Sequence, residues 1–128
     1  MKIPVRVYYQ DTDAGGVVFH AQYLAFMERA RTELLNEAQV DLARLAAERG
    51  VLFLVHELGV RYHQPARLNE LLSVSAEVVK MGRASLVFRQ LVERGGELLV
   101  EADVTLAVVD RHRMKPARMP AELEQALR

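Results

Sequence analysis

Residues 21–38, AQYLAFMERARTELLNEA, decide the fold, because they carry the clearest helix signal in the chain. The segment contains neither proline nor glycine. Tyr23, Met27, Ala30 and Leu34 recur within it at helical spacing, which predicts a long helix with one apolar face. Such a face must pack against another layer of structure, so the flanking segments determine the architecture.

Shorter elements are predicted on both sides of this helix. Residues 1–9 alternate apolar and charged side chains, as in a half-buried strand. Asp41 as N-cap and Gly50 after the last turn bracket a second, short helix, with a hinge near Gln39. A last short helix is predicted after Met119, with Pro120 as its first residue.

The rest of the chain has the pattern of strands and turns. Four strands are predicted, over residues 51–62, 72–78, 86–91 and 98–109. The turns between them contain Pro65 and Asn69, then Gly82, then the hairpin signal Gly95-Gly96. We therefore expect an α+β fold in which an antiparallel meander lays its apolar face on the long helix.

Composition limits the class of protein. The 128 residues amount to one domain, and their 51% hydrophobic content is enough to form a core. Seventeen basic residues balance seventeen acidic ones, so we expect no nucleic-acid partner. The absence of cysteine excludes disulfides and thiolate chemistry. With neither a signal peptide nor an apolar stretch of membrane-spanning length, a cytoplasmic protein is expected.

Unusual chemistry is concentrated in residues 11–20, DTDAGGVVFH, which precede the long helix. A calcium loop would need ligands where the chain has Gly15 and Gln22, and an aspartyl-phosphate site would need a larger parallel α/β domain. A third interpretation places a carboxylate beside the free amides of a helix N-terminus, where they can stabilise an oxyanion. The alternative is that Asp11 or Asp13 only caps the turn.

These residues carry a family resemblance. Residues 9–23, YQDTDAGGVVFHAQY, followed by Glu28-Arg29-Ala30-Arg31, resemble the signature of the hotdog-fold acyl-CoA thioesterases. The 4-hydroxybenzoyl-CoA thioesterase and YbgC-like group is the most similar branch. The resemblance implies a single hotdog thioesterase domain over residues 1–128, in which one antiparallel sheet wraps a central helix and an acyl-CoA is hydrolysed to an acid and free CoA.

The resemblance also implies roles for the motif residues. Asp13 falls on the catalytic carboxylate, as nucleophile or as general base, and His20 falls on the residue whose amide polarises the thioester carbonyl. Gly16, Val17 and Tyr23 match positions that orient the substrate. Departures at Phe19 and His20, where relatives have Tyr, favour a short-chain over an aromatic acyl group.

Binding of CoA requires local cations for its phosphates. By resemblance, the turn at Gly82 contacts the nucleotide, which makes Arg83 the first candidate, with Lys80 beside it. Arg113 and Lys115, in a second basic cluster, are further candidates, although a solvated surface is the ordinary interpretation of such charge.

Four further expectations complete the hypothesis. Glu28 and Arg31 should form an ion pair along the helix. His63 is interpreted as a partly buried, hydrogen-bonded ring, with a position that lines a cleft beside Tyr62 as the alternative. The resemblance implies no metal or cofactor, and it implies a homodimer or a homotetramer with sites at the interface. The alternatives are a non-catalytic acyl-CoA or acyl-carrier-binding scaffold and a hotdog dehydratase.

Overall fold

The structure, a computed structural model, describes residues 1–128 as six strands, three helices and a 3-10 turn. In chain order these are β1 Lys2–Arg6, the 3-10 turn Tyr9–Asp11, α1 Gln22–Glu37, α2 Leu42–Arg49, β2 Val51–Tyr62, β3 Leu71–Ser75, β4 Glu77–Met81, β5 Ser85–Arg94, β6 Glu97–Asp110 and α3 Ala121–Ala126. The predicted long helix is α1, and the predicted α+β class is confirmed.

All strands form one antiparallel sheet in the order β1-β3-β5-β6-β2, with β4 also paired to β5. The predicted meander is correct for β5 and β6 and wrong for β2. That strand lies at the far edge beside β6 and does not pair with β3. Strand pairing of this kind depends on register between distant segments, which periodicity does not encode.

The predicted strand over residues 72–78 is also divided, into β3 and β4, with a break at Ala76. The carbonyl oxygen of Ser75 accepts a hydrogen bond from the side chain of Gln90, at 3.1 Å, and the Ser75 hydroxyl accepts one from the amide of Leu91. Because side chains take the place of backbone partners here, the strand is interrupted.

Capping and turn residues predicted other boundaries of the helices and strands. Asp41 caps α2 by accepting a hydrogen bond from the Arg44 amide, and Gly50 ends it with φ of 67°. Gly95 and Gly96, with φ of 55° and 85°, form the predicted two-residue hairpin turn. One prediction was a residue off: Pro120 is the N-cap of α3, so the first helical residue is Ala121.

Helix α1 covers only half of the sheet. Its buried side chains, among them Phe26, Met27 and Ala30, pack against β1, β3 and β5. On the side of the sheet that faces the helix, β2 leaves Val55, Leu58 and Tyr62 exposed by 49%, 41% and 48%. The helix-facing side chains of β6 are themselves buried, so the exposed region is the helix-facing surface of β2, which we call the open half of the sheet. No helix has the length and apolarity needed to cross a membrane.

Candidate active site

The segment between β1 and α1 folds into a tight turn. The amide of Asp13 donates to the carbonyl of Val17 at 2.9 Å, and the amide of Gly16 donates back to the carbonyl of Asp13 at 3.1 Å. Gly16 has φ of 81°, a conformation that favours glycine. Val17 pairs with Arg67 across a β-bridge, so the turn is attached to the segment that precedes β3.

The two acidic residues of the turn have different environments. Asp11 is only 3% exposed, and its two carboxylate oxygens accept from the Tyr8 amide at 2.8 Å and from the Gln22 side chain at 2.9 Å. Asp13 is exposed, and only its Oδ1 is engaged, by the Gly15 amide at 2.8 Å. Asp11 is therefore a structural residue, whereas Asp13 presents a free carboxylate oxygen to solvent.

Unpaired amides lie at the start of α1. The amides of His20, Ala21 and Tyr23 donate no hydrogen bond within the chain, as expected for the first turn of a helix. Such donors, together with the helix dipole, favour negative charge at this position. A free carboxylate and a set of free amides thus belong to the same short segment.

Two tyrosines attach this helix start to the sheet. The buried hydroxyl of Tyr23 accepts from the amide of Ala66 at 2.9 Å, and burial raises the pKa of this phenol. The hydroxyl of Tyr62 donates to the carbonyl of His20 at 2.8 Å, and the two tyrosine rings meet edge to face at 5.8 Å. The peptide between His20 and Ala21, which directly follows the His20 amide, is therefore held in place.

A shallow cleft of about 270 Å³ opens beside these groups. It is lined by Val18, His20, Tyr23, Tyr62, His63, Gln64 and Pro65. The His20 ring is exposed and lies 4.4 Å from the ring of Phe19. His63 lines the cleft with Tyr62, which was the alternative interpretation of this residue, and its Nε2 is 3.0 Å from the Glu101 carboxylate. The Tyr62 contact with the helix was not predicted, because no local pattern connects residues this far apart.

The remaining motif residues have more limited roles. The amide of Gly16 is used within the turn, so this glycine shapes the backbone and is not available as an oxyanion donor. Val17 is half-buried, and its carbonyl receives the Asp13 amide. No group of three or more His, Asp or Glu side chains is placed to hold a metal ion.

The structure does not bring the predicted CoA-binding cations near Asp13 within one chain. Arg83, Lys80, Arg113 and Lys115 are all exposed. The turn that contains Arg83 contacts β6 at Val108, whereas His63 contacts it at Leu99. Nine residues of extended strand separate these contacts, roughly 30 Å. The cations lie at the opposite end of the sheet.

The expected ion pair between Glu28 and Arg31 is wrong. No carboxylate lies within 4.0 Å of the Arg31 guanidinium, which instead donates to the side-chain oxygen of Gln90 at 2.9 Å. Burial lowers the pKa of Arg31, against an opposing effect of Glu28. The helical spacing predicted the wrong partner because Gln90 reaches this position from β5, a distant part of the chain.

One antiparallel sheet that packs on one long helix is the arrangement of the hotdog fold. The fold agrees with that of a variant of 4-hydroxybenzoyl-CoA thioesterase crystallised with 4-hydroxybenzoyl-CoA. The two structures have a TM-score of 0.92 at 18% identity, and the match covers 100% of this chain and 98% of the other.

Sequence comparison identifies the family. The profile of the Thioesterase superfamily matches residues 15–101. The acyl-CoA thioester hydrolase YbgC of Escherichia coli is 49% identical over 94% of this chain and 90% of its own length. The acyl-CoA thioesterase YbgC of Haemophilus influenzae is 45% identical over 96% and 90%. The chain belongs to the thioesterase superfamily, in its YbgC-like group, and is a thioesterase enzyme.

Proposed function

We propose that this enzyme hydrolyses short-chain or small acyl-CoA thioesters to a carboxylic acid and free CoA, with the carboxylate of Asp13 as the catalytic group. The observation that carries the proposal is the free oxygen of Asp13 in the turn before a helix whose first amides are unpaired. The names of the YbgC relatives support acyl-CoA as the substrate class.

In this mechanism the thioester carbonyl oxygen lies at the start of α1. The His20 amide donates to that oxygen and stabilises the negative charge that develops on it. Asp13 either attacks the carbonyl carbon directly or removes a proton from the attacking water, and both routes use the same free oxygen. The bond to sulfur then breaks, and CoA leaves as a thiolate that takes up a proton. In the direct route, a water molecule then hydrolyses the anhydride formed at Asp13, which releases the carboxylic acid and restores the carboxylate. The imidazole of His20 orients the water or the substrate.

The size of the cleft supports a small acyl group. About 270 Å³ lies beside the helix start, and the buried ring of Tyr23 forms part of its wall. Phe26 and Met27, which follow Tyr23 in α1, are fully buried in the core and do not line the cleft. The rate of hydrolysis should therefore fall as the acyl chain lengthens.

A homodimer would bring the cations of one copy close to Asp13 of the other. Strand β2 is a 12-residue edge strand with exposed apolar side chains, a surface that a monomer ordinarily protects. Two copies that pair their β2 strands about a two-fold axis continue the sheet and cover its open half. Arg83 and Lys80, or Arg113 and Lys115, of one copy would then supply phosphate contacts for CoA bound at Asp13 of the other.

The test combines turnover with assembly. A panel of acyl-CoAs is incubated with the wild type and with Asp13→Asn, and the released thiol is measured. We expect a preference for short chains, a loss of at least about 100-fold in kcat for the variant, and no monomer in sedimentation at the assay concentration. Activity of Asp13→Asn within about tenfold of wild type would refute the role of this carboxylate.

The cation assignment has a separate test. Arg83→Ala should raise KM for every acyl-CoA and leave kcat nearly unchanged, because a phosphate contact far from the thioester stabilises ground and transition states alike. If KM does not change at low salt, the Arg113 and Lys115 segment becomes the candidate, and the same measurement on Arg113→Ala decides the question.

A further inference from the structure

Arg31 is a buried cation without an acidic partner. The residue is 8% exposed, and its Nη1 donates to Gln90 Oε1 at 2.9 Å. Glu28, one turn earlier, is exposed and does not form an ion pair with it. A buried guanidinium paired only with a neutral amide does not pay back its desolvation, so fold stability alone would favour an apolar residue here.

Gln90 holds the guanidinium in a fixed position. Its Nε2 donates to the carbonyl oxygens of Met27, at 2.9 Å, and Ser75, at 3.1 Å, which leaves Oε1 directed at Arg31. Gln90 is itself fully buried, between α1 and the sheet. A donor held in this way loses little entropy when it binds an acceptor, as in preorganised anion sites.

The free donors of Arg31 face a cavity. Nε and Nη2 of Arg31 donate no hydrogen bond within the chain. Every fully buried polar side-chain atom of the chain has a hydrogen-bond partner, so these two nitrogens must be accessible to solvent. The space beside them is a cavity of about 240 Å³ between α1 and the open half of the sheet. Glu28 and Thr32 line it beside Arg31, and its other walls are apolar and include Leu35, Leu42, Phe53, Leu86 and Leu106.

We propose that this cavity receives the far end of the acyl group, and that Arg31 selects acyl groups that end in a carboxylate. A guanidinium offers two parallel donors that match the two oxygens of a carboxylate, and the apolar walls suit the methylene groups that precede it. Glu28 also lines the cavity, but it is exposed and forms no ion pair with Arg31, so the free donors of the guanidinium stay available. The inference rests on the proposed acyl-CoA hydrolysis and on the β2-paired dimer.

Pairing of the two β2 strands brings the cavity to the thioester site. Within one chain, Arg31 lies eleven residues beyond His20, about 16 Å along the helix, which is too far for a short acyl group. When two copies of Val51–Tyr62 overlap fully in antiparallel register, Phe53 of one copy lies opposite Val60 of the other, and Val51 opposite Tyr62. The cavity beside Phe53 then adjoins the second copy's cleft at Tyr62 and His20.

The experiment compares glutaryl-CoA with pentanoyl-CoA, which have the same carbon chain and differ in ending in a carboxylate or a methyl group. The ratio of kcat/KM for the two is measured for wild type, Arg31→Met, Arg31→Lys and the matched control Arg29→Met. Arg29 neighbours Arg31 but is exposed, with its guanidinium 5.8 Å from the ring of Phe26. Melting temperatures establish that each variant is folded.

We expect wild type to prefer glutaryl-CoA, and the ratio to fall by at least about tenfold in Arg31→Met, less in Arg31→Lys, and not at all in Arg29→Met. Hydrolysis of pentanoyl-CoA should persist in Arg31→Met. A wild type without preference for glutaryl-CoA overturns the inference even if the Arg31 variants fail to fold. An unchanged ratio in folded Arg31→Met also overturns it.

Binding to Asp13→Asn separates this inference from the proposed function. The affinities of this variant for glutaryl-CoA and pentanoyl-CoA are measured by calorimetry, with and without Arg31→Met. If the wild type hydrolyses neither thioester, the proposed function is wrong. The role of Arg31 is then decided by the ratio of the affinities for glutaryl-CoA and pentanoyl-CoA. Tighter binding of glutaryl-CoA that requires Arg31 supports it, and equal binding contradicts it.

Discussion

Exchanging each acid of the turn for its amide should separate structure from catalysis. In Asp11→Asn, one of two buried acceptor oxygens becomes an NH₂ group. This group faces either the Tyr8 amide or the side chain of Gln22, both of which are donors in the wild type. Gln22 can rotate its amide and accept instead, so the loss is close to one charge-assisted hydrogen bond, about 1 to 3 kcal/mol.

That free energy converts to a measurable shift in Tm. Unfolding entropy near 2.1 cal/mol/K per residue gives about 0.27 kcal/mol/K for a chain of 128 residues. Asp11→Asn should therefore lower Tm by about 4 to 11 °C. Its kcat should stay within about tenfold of wild type, because this carboxylate is buried and does not face the cleft.

Asp13→Asn is the matched control, with the same chemical change two residues away. The side chain is exposed, and the oxygen that accepts from the Gly15 amide survives the substitution, so Tm should change by less than about 2 °C. The value of kcat should fall at least about 100-fold. Thermal unfolding and thiol release on both variants decide the matter. The assignment of roles is refuted if Asp11→Asn is the inactive variant with an unchanged Tm.

Three further substitutions test the surroundings of the site. Tyr23→Phe leaves the buried amide of Ala66 without its acceptor and should cost about 1 to 3 kcal/mol in chemical denaturation. Tyr62→Phe frees the His20 carbonyl, so kcat should fall about tenfold or more while Tm changes little, measured by kinetics and thermal unfolding. Two backbone amides hold the pKa of Asp110 below its ordinary value of 3.8. The wild type should therefore have a higher Tm than Asp110→Ala above pH 3.8, and this difference should vanish as the pH falls through the lowered folded-state pKa. Thermal unfolding of both proteins at several pH values measures the difference.

Local features of this chain were readable from sequence, and nonlocal ones were not. The helix α1, the capped α2 and the hairpin at Gly95 and Gly96 each depend on residues within a few positions of one another, so their signals are complete within a short window. The position of β2 depends instead on which distant strand it joins. Its own composition of β-branched and aromatic residues suits either neighbour, and only the three-dimensional pairing with β6 decides.

The same division applies to the site. Asp13 and the amide of His20 lie within one motif, and local turn and helix geometry leaves both of them free. What holds them in place comes from elsewhere: Tyr62 arrives from the end of β2, and Gln90, which orients Arg31, lies 59 residues beyond it in the chain. Reactive groups can thus be recognised in a short segment, whereas the groups that orient them are recruited across the fold. If two copies pair through β2, Tyr62 becomes both an anchor of its own helix and a neighbour of the second copy's Arg31 cavity. Substitutions on β2 should then change assembly, turnover and acyl preference together, which a monomeric site would not predict.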